Sequence, residues 1–136
     1  MTLPEFIHAQ GFVPPRGYSD AALSPLSGRL LVLGGHVAFD TQRQIVHPGE
    51  LVPQVRQTLQ NLLATLTTAG TTPNHIIKLV IHTPVVGQWR DESKAIGVVW
   101  REVLGKVYPA MTLIGVTELF DKGALVEIDG LAALPF

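Results

Sequence analysis

Apolar residues along this chain fall into two long stripes at helical spacing and several short runs. From Leu51 to Ala69, the positions Val55, Leu59, Leu62, Leu63, Leu66 and Ala69 share one helical face, which predicts an amphipathic helix. Gly70 follows, where a left-handed residue closes a helix. A second helix is predicted from Asp91 to Leu104, with Ala95, Ile96, Val99, Trp100 and Val103 on one face and Gly105 as its stop. The run Arg29 to Gly34, entered from Ser27-Gly28, is too short for a helix and predicts a buried strand. Ile76 to Thr83 is β-branched and ends at Pro84, which predicts another, and Pro109 to Val116 and Ala124 to Ala132 predict two more, joined by a loop holding Asp121, Lys122 and Gly123. Gly11 to Ser27, with Pro14, Pro15, Gly17 and Pro25, reads as irregular backbone, and Asp40 to Gln44 reads as a turn. No repeat or linker interrupts the order, so residues 1–136 read as one domain.

Composition narrows the class. The chain is 46% hydrophobic and 15% charged, with ten Lys plus Arg against eleven Asp plus Glu and a net charge of −1. A chain of this size buries roughly two-thirds of its unfolded surface and needs no staples. It has no Cys, which removes disulfides, Cys-zinc sites and thiol nucleophiles. No basic block is present to neutralise phosphates, so nucleic acid is not an expected partner. No signal-peptide pattern opens the chain and no apolar run reaches the roughly 18 residues of a membrane helix, so a cytoplasmic protein with no membrane partner is expected. A mean hydropathy of +0.29 exceeds what a small monomer comfortably exposes, which points to buried oligomer interfaces.

Few residues carry a chemical signal. Strand alternation puts Leu125, Glu127 and Asp129 on one face and Val126 and Ile128 on the other, with the core taking the second. Glu127 is then either a solvated sheet residue or a general acid/base in a cleft. The glycine pair Gly34-Gly35 removes two side chains and permits positive φ, so backbone or ligand can approach, and His36 beside it is the histidine best placed to face a ligand. None of the five histidines has metal-ligand spacing, no G-x-S-x-G surrounds a serine, and no nucleotide-binding glycine motif is present. No metal and no cofactor are expected.

Four ordered segments resemble the Rid family of reactive-intermediate deaminases, also called YjgF or RidA proteins. Gln54-Val-Arg-Gln-Thr-Leu-Gln-Asn61 is similar to the family's Q-x-x-Q-[ST]-L-x-N stretch, and His75-Ile-Ile-Lys-Leu-Val-Ile-His-Thr83 to its lysine-containing strand. Tyr108-Pro-Ala-Met-Thr112 and Val126-Glu-Ile-Asp-Gly-Leu-Ala132 resemble its two C-terminal signatures. The resemblance covers nearly the whole chain. It implies an α+β fold, a mixed sheet packed against two helices of the YjgF/chorismate-mutase-like type, assembled as a homotrimer with a small-molecule cleft at each subunit interface. It implies hydrolysis of enamines or imines without a cofactor. Glu127 matches the glutamate that handles water, Tyr18 the cleft tyrosine, and Gly34-Gly35-His36 the Ser-Gly-Gln element whose backbone meets the ligand.

One departure changes the expected substrate. The family's [FY]-P-A-R-[ST] element holds an arginine that pairs with the substrate carboxylate, and here that position is Met111. An apolar thioether cannot replace a bidentate guanidinium. Either Arg16 reaches in to replace the missing cation, or the substrate lacks a carboxylate and Met111 forms an apolar wall; the second is the preferred expectation. The chain is thus expected to hydrolyse an imine, enamine or related C–N bond in a molecule other than a simple 2-imino acid, with Glu127 on the water and Thr112 and the Gly35 backbone orienting the substrate. The alternative is a binding or regulatory trimer that keeps the cleft without catalysis.

Overall fold

The computed structural model describes residues 3–25 and 28–134. Its elements are β1 (Glu5–Ile7), β2 (Ala21–Leu23), β3 (Arg29–His36), α1 (Leu51–Ala69), a 3-10 turn (Pro73–His75), β4 (Ile76–Thr83), α2 (Val86–Asp91), α3 (Ser93–Leu104), β5 (Ala110–Gly115) and β6 (Glu127–Leu134). Four strands form a mixed sheet in the order β3-β6-β4-β5, antiparallel except for the β4–β5 pair, and β1 and β2 form a separate antiparallel ribbon. This is a single α+β domain, as expected. Among the described residues, no helix is long and apolar enough to cross a membrane.

The helices cover one face of the sheet. The buried stripe of α1 is continuous: Val55, Leu59, Leu62 and Leu66 are fully buried in one core with Leu79, Ile81, Val126 and Ile128 of the sheet side and Ile96, Val99 and Trp100 of α3. Gly70 closes α1 at φ 89°, its N–H donating to Thr67 O while Thr71 N–H donates to Leu66 O, the paired bonds of a left-handed helix stop.

Four expectations are corrected. The second helix starts earlier and is broken: α2 runs from Val86 to Asp91, and α3 begins after Glu92. Three helices therefore pack on the sheet where two were expected. Ala95, placed on the apolar face, is exposed. The irregular stretch contains β2, which pairs with β1. The strand at Arg29 is an edge strand and extends to His36, with Leu30 and Val32 exposed at 62% and 69% on the sheet face that carries no helix. The Ser27 side of its start lies outside the described residues.

Two polar residues sit on the buried stripe of α1. Gln54 is fully buried, and its Nε2 donates to Gly123 O (2.9 Å) and His47 O (3.2 Å) while its Oε1 accepts from Leu125 N–H (2.8 Å). Thr58, also fully buried, returns its hydroxyl to Gln54 O. One amide thus ties α1 to the turn before it and to the chain entering β6. Substituting Gln54 by Leu removes the amide partner of Leu125 N–H and of Gly123 O, while His47 O keeps its bond from Glu50 N–H. It is expected to cost at least about 2 kcal/mol in urea unfolding. Gln57→Ala, which loses one half-buried bond to Asn61, is expected to cost under about 1 kcal/mol.

Candidate functional site

Glu127 opens β6, and the backbone before it is held from two sides. Leu125 N–H goes to Gln54 and Leu125 O accepts from the Thr83 hydroxyl at 2.7 Å. Across the sheet, Glu127 pairs with His82 and Asp129 with Val80, so these side chains share the face without helices. His82 Nδ1 is buried without a hydrogen bond among the described residues, 3.8 Å from Asp129 Oδ2.

The glycine pair meets Glu127 from the other neighbouring strand. Leu33 pairs with Gly130 and His36 with Ile128, so Gly34 and Gly35 together face one residue of β6 in a β-bulge. Neither glycine has a left-handed φ, contrary to the conformational role expected of them. The requirement at Gly35 is steric, because a Cβ there would collide with the Glu127 carboxylate. At Gly34 a Cβ would meet open space.

His36 turns the other way. Its Nδ1 bonds Gly34 O at 2.7 Å and its Nε2 bonds the Thr65 hydroxyl of α1 at 2.8 Å. A carbonyl only accepts, so Nδ1 carries the proton, and the Thr65 hydroxyl that meets Nε2 also bonds Asn61 O at 3.3 Å. Asn61 of α1 adds two bonds, from Nδ2 to Val37 O and Phe39 O at 2.8 and 2.9 Å. His36, Gly34 and Gly35 line a cavity of about 640 Å³ together with Phe39, Arg43, Asn61 and Thr65. Both ring nitrogens of His36 are thus engaged within the protein.

The remaining predicted residues line a second cavity. Arg16, Tyr18, Met111 and Thr112 border about 500 Å³ with Trp89, Ser93, Trp100 and Tyr108. Ser19 brings the first two there: its N–H donates to Pro109 O and its hydroxyl to Tyr108 O, clamping the Arg16–Ser19 segment beside β5. Trp100 is 5% exposed and donates its indole N–H to Val107 O, which fixes the cavity floor and the chain leading to Tyr108. Met111 pairs with Leu79, a core residue, so it lies on the helix-covered face. Glu127 and Met111 therefore occupy opposite faces of one sheet.

The sequence reading did not single out Trp89, Ser93 or Tyr108. Trp89 enters on α2, the helix that was missed. Its signal was present in Val85, Val86 and Trp89, which carry the three-to-four spacing upstream of Asp91. Among the described residues, no group of three His, Asp or Glu side chains is arranged to hold a metal ion.

The family model described as endoribonuclease L-PSP matches residues 9–134. The chain belongs to this family. It is that of the Rid proteins, as the similar structures indicate. YyfB of Yersinia pestis, a protein of unknown function in the conserved Rid family, superposes with a TM-score of 0.85 at 29% identity, over 98% of this chain and 100% of the other. A RutC family protein of Pyrococcus horikoshii is 26% identical over 96% of this chain and 98% of its own length. The mitochondrial protein mmf2 of Schizosaccharomyces pombe is 30% identical over 79% and 82% respectively. On this Rid-family frame, Gly35→Ala is expected to leave stability within about 1 kcal/mol, since the carboxylate it displaces ends a flexible side chain. The same substitution is expected to move the Glu127 carboxylate off β3, visible in a crystal structure of the variant.

Proposed function

We propose that this Rid-family protein hydrolyses an imine, enamine or related C–N bond of a small molecule other than a simple 2-imino acid. The observation that carries the reading is Met111 in the wall of an aromatic cavity, at the position where the family resemblance places a carboxylate-binding arginine. Arg16 borders the same cavity but is exposed, as a solvated loop arginine is. A carboxylate bound beside Met111 would lose a charge-assisted partner, at a cost of about 2 to 5 kcal/mol.

In this reading Glu127 handles water. Its carboxylate takes a proton from water as the oxygen bonds to the iminium carbon. The carbinolamine then transfers a proton to nitrogen, the C–N bond breaks, and ammonia leaves a carbonyl product. Glu127 acts as general base in the first step, and the proton it gained is returned as the amine leaves. The Gly35 backbone and Thr112 orient the substrate. Neither a cofactor nor a metal is required for these steps.

The cleft is shared between copies of the chain in a homotrimer. Opposite placement of Glu127 and Met111 on the sheet supports this, because a substrate packed against Met111 from the helix-covered side faces away from the Glu127 of its own protomer. Exposed Leu30, Val32 and Ile114 (62%, 69% and 43%) beside the Glu127 face add apolar surface suited to burial by a second copy. The family description speaks of RNA cleavage, but a net charge of −1 gives little electrostatic footprint for RNA and favours a small-molecule substrate.

Ammonia release from freshly generated imines, with and without carboxylates, tests this reading. Wild type is expected to accelerate hydrolysis of carboxylate-free imines, with the activity lost in Glu127→Gln. Met111→Arg is expected to gain at least about tenfold on 2-imino acids. A fully active Glu127→Gln removes the carboxylate from the mechanism. Ligand binding with no product from any imine supports a non-catalytic binding trimer instead.

A further inference from the structure

The cavity beside Met111 has a chemical character that the reaction alone does not require. Among the described residues, four aromatic ones border it, Tyr18, Trp89, Trp100 and Tyr108, and no acidic one does. Trp100 is buried and fixed through its indole N–H, so it forms a rigid floor. Trp89 is half-buried and packs against the core from α2, leaving part of its ring at the cavity. Val86 at the start of α2 lies so close to Gly115 that a Cβ there would fall 2.8 Å from Val86 Cγ2. That close seating fixes α2, and with it Trp89, against the end of β5.

We infer that the cavity takes a carboxylate-free imine whose carbon carries an aromatic ring, with that ring held between Trp89 and Met111. The inference rests on the imine-hydrolase reading and names its substrate class. Aromatic rings pack favourably in offset or edge-to-face arrangements, and a thioether makes favourable contacts with a ring. Charge points the same way. A protonated 2-imino acid carries iminium and carboxylate together, whereas a carboxylate-free iminium is a net cation. Met in place of Arg removes one repelling charge, the cation that remains at the border, Arg16, is exposed and screened by solvent, and the faces of Trp and Tyr attract cations. The volume of about 500 Å³ accommodates a single ring with its side chain. The step is balanced as R–CH=NH₂⁺ plus water giving R–CHO plus NH₄⁺, with the C–O bond formed and the C–N bond broken. Trp89 is thereby a specificity-determining residue.

Two measurements on the intact protein test the assignment. The first compares binding of benzamidine, a stable planar aromatic amidinium, with that of acetamidine by calorimetry. Benzamidine is expected to bind at least about tenfold tighter, with the preference lost in Trp89→Ala and largely restored in Trp89→Phe. The second follows ammonia release from imines formed in place by an amine oxidase from benzylamine and from propylamine. Trp89→Ala is expected to lower kcat/KM for the benzyl imine at least about tenfold more than for the propyl imine. Equal binding of the two amidines, or a preference unchanged in Trp89→Ala, overturns the inference. Glu127→Gln separates the two claims: if it remains fully active the catalytic reading fails, whereas loss of activity with no ring preference sinks only the aromatic assignment.

Discussion

The side-chain amide of Gln54, sealed under α1, is the interaction on which the site geometry depends. An amide in a dry interior must find partners for its donors and acceptor, and this one finds them on three separate backbone groups. Two of those partners, Gly123 and Leu125, lie just before Glu127. Thr83 holds the carbonyl of the same Leu125, so the start of β6 is fixed from the helix layer and from β4 together. Asn61, two turns further along α1, does the corresponding work for the chain leaving β3 through Val37 and Phe39. The Gln54-to-Asn61 stretch is therefore a row of clamps. They hold the bulge at Gly35 and the carboxylate at Glu127 in register with one another.

Much of the fold was legible because its signals are local. Leu51 to Ala69 has uninterrupted periodicity and a glycine stop, and its observed bounds are those the pattern predicts. Ile76 to Thr83 is likewise a β-branched run closed by proline, with matching bounds. The alternation at Val126 and Ile128 correctly set the buried side, leaving Glu127 on the other. Other features depend on partners distant in sequence. β2 exists through its pairing with β1, and α2 was hidden by the break at Glu92. Leu30 and Val32 read as buried from their hydrophobicity, but β3 is an edge strand with one uncovered face.

For the candidate site, the sequence named residues and not their arrangement. Arg16, Tyr18, Met111 and Thr112 do converge, because Ser19 clamps the early segment beside β5. His36 does not join them; its pairing with Ile128 sends the ring toward α1, where Thr65 takes it up. Glu127 and Gly35 meet each other on the uncovered face, away from Met111. Strand parity makes this separation unavoidable, since Leu79 and His82, the partners of Met111 and Glu127, are three residues apart on β4. In the proposed trimer, the face that carries Glu127 and exposed Leu30 and Val32 would meet another copy's cavity.

Subunit mixing tests this shared-site account most directly. Glu127→Gln chains and cavity-filling Met111→Trp chains, each silent alone, are to be co-refolded in equal amounts and assayed for imine hydrolysis. If one copy supplies the cavity and another the carboxylate, random mixing rebuilds about a quarter of the sites with both parts intact, and activity returns to about that fraction of wild type. If mixed oligomers form, as mass spectrometry would show, and remain silent, a single chain supplies both groups and the account is wrong.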